Sequence, residues 1–269
     1  MSDLAVIIAA ALWGAVAGAR LRHAAYRLSV PSGERWREEC PAGHPIGGWI
    51  GWGRCRECAR AAEARDGAGA SYGTTVSHGP GASYGTTASY GPSTLLLSAT
   101  TALVCTALAA ATGTRPELGV WLLLAPFGVL LAVVDFRVQR LPDALTLPLA
   151  GVALALLGLV ALLPEHAGDW LTALYGALAL GGGYFVLFLV NPGGMGFGDV
   201  KLALGMGTVL GWYGWATVML GTFAGFLLGA LYGGALVVAR RAGRKTAIPF
   251  GPFLIAGAFA GVLIGAYAA

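Results

Sequence analysis

Residues 191–207 read NPGGMGFGDVKLALGMG. Glycine crowds around a single carboxylate, Asp199, and the stretch lies between two strongly apolar runs at 170–190 and 200–214. A carboxylate costs roughly 2.5–3.5 kcal/mol at the centre of a membrane helix and less near the interface. Asp199 therefore needs either a local structural partner or a function.

The remainder of the chain makes lipid the expected surroundings. Of 269 residues, 57% are hydrophobic and only 11% charged, and the mean hydropathy is +0.70. A soluble fold of this size needs far more polar surface. The 43 glycines follow no collagen period; many fall inside apolar segments, where close helix packing in lipid accepts them. A net charge of +4 does not indicate nucleic acid, because nine of the 17 Lys and Arg lie between Arg20 and Arg65 and four more between Arg240 and Lys245. Such clusters read as membrane-surface anchors. The first apolar run begins at residue 4 with no basic residues ahead of it, which reads as a retained helix rather than a cleaved signal.

Apolar runs of helical length occur at 4–20, 94–112, 118–135, 144–163, 170–190, 200–214, 216–239 and 248–268. The expected fold is an all-α integral membrane protein of about eight transmembrane helices, with a cytosolic loop module after the first. Eight spans place the loops 20–93, 136–143, 191–201 and 239–247 on one face, and that face holds every basic residue except Arg115, 16 of 17. This asymmetry makes the face cytosolic and both termini external. The run beginning at Val200 is short: about 15 helical residues cover ~22 Å against a hydrocarbon core of ~30 Å. Asp199 is expected to be recessed below the cytosolic surface.

Four regions follow from composition: a first helix at 1–20, a Cys/His loop module at 21–65, a linker at 66–93 and a polytopic domain at 94–269. The linker contains a tandem twelve-residue repeat, GASYGTTVSHGP (69–80) and GASYGTTASYGP (81–92), whose Gly, Ser, Thr and Pro content predicts disorder.

Three acidic residues fall at the cytosolic ends of the later spans: Asp135, Asp143 and Asp199. Asp199 directly precedes an apolar helix and could cap it, and a cap is the preferred role for Asp143 after Pro142. Asp135 closes an apolar run, where the helix dipole disfavours an anion, so a cap does not explain it. Gly196 and Gly198, flanking Phe197, form a G-x-G-D pattern that could let an extended peptide backbone approach the carboxylate. If Asp135 and Asp199 meet, two carboxylates could share one proton, one activating water while the other donates to a carbonyl oxygen or leaving amine. That is aspartyl protease chemistry and requires no metal. Arg137, Arg140 and Lys201 flank the site and could steer substrate, though interface anchoring is their simpler role.

VDFRVQRLPDALTLP (134–148), GMGFGDVKLALGMG (194–207) and IPFGPFLIAGAFAG (248–261) together resemble the type IV prepilin peptidases, the bacterial branch of the GxGD intramembrane aspartyl proteases. The resemblance implies that Asp135 and Asp199 are the catalytic aspartates; Gly196, Gly198 and Lys201 beside them are the residues expected at the substrate. It implies cleavage of the basic leader of prepilins or pseudopilin-like precursors at the cytosolic face of the bacterial inner membrane, without a cofactor. It also implies N-methylation of the new terminus from S-adenosylmethionine, where that second activity is present. Membrane lipid is the other expected partner, and nucleic acid is not expected.

The loop ECPAGHPIGGWIGWGRCRECARA (39–61) departs from the family pattern of two C-x-x-C pairs, since only Cys40 of the first pair is present. Cys40, His44, Cys55 and Cys58 still offer a Cys₃His set that zinc accepts; the alternative is a degenerate module with reduced, unligated thiols. Two other functions remain open from the residues. One is a proton-coupled transporter using the same carboxylates, although transporter sites usually lie near the midplane. The other is an inactive scaffold for pilus or secretion assembly.

Overall fold

The computed structural model describes residues 3–67, 89–239 and 248–269. Nine helices are present among the described residues: α1 (Asp3–Leu28), α2 (Arg56–Gly67), α3 (Thr94–Thr112), α4 (Glu117–Val138), α5 (Asp143–Val160), α6 (Trp170–Val190), α7 (Phe197–Gly211), α8 (Trp215–Val238) and α9 (Gly251–Ala268). All except α2 and α7 are long and apolar enough to cross a membrane, which makes seven such helices. The protein is an all-α, multi-pass membrane protein.

The eighth expected span corresponds to α7, and its 15 residues fall short of the other seven. Its position explains why it can be short. Nine of its residues are buried, and it packs against α5, α6, α8 and α9. By contrast, only four of the 24 residues of α8 are buried, leaving a broad apolar face for lipid. A helix enclosed by other helices meets protein rather than acyl chains along its flanks, so it need not match the bilayer thickness.

Close approach at glycine sets this packing. A Cβ at Gly207 of α7 would lie only 2.2 Å from the Gly176 carbonyl oxygen of α6. Without a hydrophobic drive between helices in lipid, such backbone contacts carry much of the association. The opposite end of the bundle is tied by Arg115, the one basic residue outside the loops expected on the other face. Its guanidinium donates to the Thr112 carbonyl at 2.8 Å and the Ala111 carbonyl at 3.1 Å, and also to the carbonyl of Ala266. It thus sits at the C-terminal ends of α3 and α9, where helix dipoles favour a cation, and its Nε lies 3.8 Å from the fully buried Glu117.

The first helix runs to Leu28 rather than ending near residue 20. Its added turns carry Arg22, His23 and Arg27, onto which the loop module folds. Arg27 donates to the carbonyl of Arg37 at 3.0 Å and to that of Gly48, and stacks 4.1 Å from the centroid of Trp49. Most of the linker expected at 66–93 lies outside the described residues. Its final residues are ordered against the module: Ser89 bridges Arg54, and Tyr90 is 5% exposed. The Tyr90 amide donates to the Gly53 carbonyl at 2.8 Å. Burial pushes the Tyr90 phenol up to about 12, so it stays neutral beside His23, 3.0 Å away.

Replacing Gly207 by valine is expected to separate α6 from α7 and lower stability by about 1–3 kcal/mol. Thermal unfolding in detergent, compared with a valine at the open position Gly182, measures this.

Candidate active site

Asp135 lies in the last turn of α4 and Asp199 in the first turn of α7; they are 5% and 8% exposed. The C-terminus of α4 is a poor place for an anion, and the fold supplies compensation from another helix. The Gly251 amide at the start of α9 donates to Asp135 Oδ2 at 3.1 Å. This first turn contains Pro252, whose missing N–H is no loss there. The positive end of the α9 dipole thus faces the carboxylate that the α4 dipole opposes. Gly251 has no room for a side chain, since a Cβ would meet Asp135 Oδ2 at 2.8 Å.

Asp199 occupies the third position of α7, and Gly196 is the N-cap. The cap role considered for Asp199 is therefore held by a backbone, and the carboxylate instead turns back toward the Gly196 amide. That arrangement is half of a capping box. Two helix N-termini, those of α7 and α9, thus converge on two buried carboxylates. The carboxylates are near enough for the charge of Asp135 to act on Asp199. Leu141, in the turn after α4, fills the space beside them. Its Cδ1 lies 3.5 Å from a Cβ built on Gly198 and 3.4 Å from one built on Gly251.

The glycines of the G-x-G-D stretch use their missing side chains rather than unusual backbone angles. Gly196 has φ −73°, so positive φ is not what this position requires. A Cβ on Gly198 would lie 3.0 Å from Cβ of Leu141, which makes packing the local reason for this glycine. Gly196 faces the Asp199 carboxylate with open space around it.

Two of the three flanking cations have partners within the protein. Lys201 Nζ pairs with Asp143 Oδ2 at 2.6 Å and sits 4.8 Å from the Phe197 ring centroid, so its charge is committed within the protein. The same pair corrects the preferred role of Asp143: Pro142 is the N-cap of α5 and no side chain caps it. Arg140 donates to the Pro31 carbonyl at 3.0 Å and lies over Trp36, fastening the loop module to the site's edge. Arg137 is exposed.

Sequence reasoning assigned no role to Gly251, Leu141 or Tyr184. Gly251 was legible as a glycine immediately before a proline at a helix start. Tyr184 of α6 is 2% exposed, its hydroxyl has no hydrogen-bond partner among the described residues, and the Asp199 charge reaches it. Nothing in the local sequence marks it, because only the α6–α7 packing turns it toward Asp199.

The four expected metal donors converge in the loop module, with ligand atoms all within 4.8 Å of one another. His44 Nδ1 lies 3.6 Å from Cys40 Sγ, 3.6 Å from Cys55 Sγ and 3.3 Å from Cys58 Sγ; Cys40 and Cys58 are 3.8 Å apart. Tetrahedral zinc, with bonds of about 2.3 Å to sulfur and about 2.0–2.1 Å to nitrogen, requires S···S near ~3.8 Å and S···N near ~3.5 Å. The donor set fits. The other nitrogen of His44, Nε2, faces Glu57 at 3.5 Å, the kind of outer partner that orients a ligating imidazole.

Comparison with known proteins finds relatives in one family. The model of the type IV leader peptidase family matches residues 122–234, a span that contains both aspartates. The chain is 32% identical over 262 residues to the prepilin leader peptidase/N-methyltransferase of Aeromonas salmonicida (strain A449), covering 89% of this chain and 74% of that protein. The protein of the same name from Escherichia coli (strain K12) is 36% identical over 61% of this chain and 69% of its own length. Leader peptidase HopD of Salmonella typhimurium is 34% identical over 50% of this chain and 86% of its own length. No solved structure matches.

Gly251→Ala is expected to displace the Asp135 carboxylate from the α9 amide and lower the unfolding free energy by about 1–3 kcal/mol. Thermal unfolding of the purified variant checks it; an unchanged midpoint would mean the carboxylate does not depend on this contact.

Proposed function

Because the chain belongs to the type IV leader peptidase family, and is therefore a membrane protease, we propose that Asp135 and Asp199 are its catalytic pair and that it removes the basic leader from prepilin or pseudopilin-like precursors. The observation that carries this reading is a pair of buried carboxylates from separate helices, near enough for one charge to act on the other and each backed by a helix N-terminus. Such a pair shares one proton. The ionised member takes a proton from water as it attacks the scissile carbonyl, and the protonated member donates to the carbonyl oxygen. The Gly196 backbone, bare of side chain, is where an extended substrate strand passes. Lys201 is left out of substrate binding, since Asp143 holds it.

The face at which this happens follows from charge. Sixteen of 17 basic residues fall on the side of the aspartates in the sequence-based topology, which makes that side cytosolic and both termini external. A precursor whose apolar helix lies in the bilayer would present its leader there. Both carboxylates sit at one end of the bundle, which argues against a proton-coupled transporter, and two intact aspartates argue against an inert scaffold.

Cys40, His44, Cys55 and Cys58 would hold a structural zinc ion, which supplies a cross-link for a module with little core of its own. Peptide cleavage requires no cofactor in this reading. Relatives carry a second activity in their names, N-methyltransferase, and the loop module is where that activity and its S-adenosylmethionine would be expected here.

Asp135→Asn and Asp199→Asn, tested separately on a co-expressed prepilin, are each expected to reduce leader cleavage at least about 100-fold while the protein stays in the membrane. Asp143→Asn should retain cleavage. Normal processing by either of the first two variants defeats the assignment. For the module, metal analysis of purified protein should find one zinc per chain, lost in Cys55→Ser together with a lowered unfolding temperature. Metal-free protein with unchanged stability in that variant would reject the zinc site.

A further inference from the structure

A second polar site lies away from the aspartates, where the last turns of α1 meet the start of α3 and the loop module. A cavity of about 750 Å³ is lined there by Arg22, His23, Trp52, Gly53, Arg54, Arg56, Ser89 and Thr94. Arg22, Arg54 and Arg56 all line this one space. None of them is in an ion pair among the described residues, and the charge of Arg54 bears on Arg22. Residues 68–88 and 240–247 contain no Asp or Glu, so those segments hold no carboxylate to offset the charge.

One buried donor in this wall also lacks a partner. His23 is 6% exposed, and its Nδ1 is taken by the Tyr90 hydroxyl. Its other side faces the Gly48 carbonyl, which also accepts from Arg27. Arg22 spends Nη1 on the Thr94 hydroxyl at 2.8 Å, while its buried Nε is unpaired. Leaving a buried polar group unpaired costs about 1–3 kcal/mol, and uncompensated like charges add to that cost. A ligand with several acceptor oxygens and negative charge removes both.

We infer that this cavity binds a phosphate-bearing anion, and that the ligand is the headgroup of an anionic phospholipid. Guanidiniums match phosphate oxygens in paired hydrogen bonds. The position selects lipid as the source. The cavity opens at the end of two membrane-spanning helices, and Leu95 and Leu96, next to Thr94, are 80% and 65% exposed, forming an apolar path for acyl chains. Basic pockets of this kind at helix ends are known headgroup sites. The bound headgroup would join α1, α3 and the residues on either side of Cys55 in one contact, fixing the loop module against the membrane.

The test uses the full chain in detergent, with lipid retention read by native mass spectrometry. Phosphatidylglycerol is expected to be retained over phosphatidylcholine, and Arg54→Gln/Arg56→Gln to lower its retention about tenfold or more. Arg35→Gln/Arg60→Gln removes the same charge from exposed positions outside the cavity and should leave retention unchanged. A matching unfolding temperature for the two double variants separates lipid loss from misfolding. Displacement of phosphatidylglycerol by 10 mM inorganic phosphate would support the anion site but overturn the lipid as its ligand. Equal retention of both lipids, or equal loss in both double variants, overturns the proposal.

Discussion

The structure turns on holding two buried carboxylates that no lysine or arginine among the described residues pairs with. Water is scarce there and an unpaired anion is expensive, so donors must come from within the fold. The backbone supplies them: α9 begins at Asp135 and α7 begins at Asp199. A helix N-terminus carries several unsatisfied N–H groups and a partial positive charge. It stabilises an anion without occupying the space in front of it. A lysine side chain in the same position would have formed an ion pair, and the one nearby lysine, Lys201, is held away by Asp143.

This requirement orders much of the remaining architecture. The short α7, which begins at the pair, is enclosed by protein along its flanks. Close contact of α6 with α7 at Gly176 and Gly207 provides part of that enclosure. For α9 to aim its first amide at Asp135, residue 251 must lack a side chain. Leu141 packs against both glycines and excludes bulk water from one flank of the pair. The loop module reaches this edge through Arg140 and the 31–36 loop. Its own stability depends on anchors of a different kind, namely the Cys/His cluster, the buried Arg27 and the buried Tyr90.

How much was legible in the sequence depended on the range of the interaction. Hydropathy alone placed the helices, because crossing a bilayer imposes a length and a composition on each segment separately. Asp135 and Asp199 stood out as candidates because a carboxylate beside an apolar run is costly wherever the chain later goes. The four metal donors were identifiable by residue type, and the fold brings them within 4.8 Å of one another. Helix ends were less legible: α1 continues eight residues past its hydrophobic run, because Arg22, His23 and Arg27 are buffered by the loop folded over them.

Amino-acid order by itself determined that this chain crosses the membrane repeatedly, which residues stand at the ends of its spans, and which carboxylates lack an ordinary excuse. Those properties are local, fixed by transfer free energies acting on one segment at a time. Which helix start faces which carboxylate was decided only in three dimensions. Gly251 lies 116 residues from Asp135, helix packing brings Tyr184 within reach of the Asp199 charge, and Lys201 pairs with Asp143. Each outcome depends on how apolar helices with few directional contacts settle against one another, and backbone approach at glycine decides that geometry.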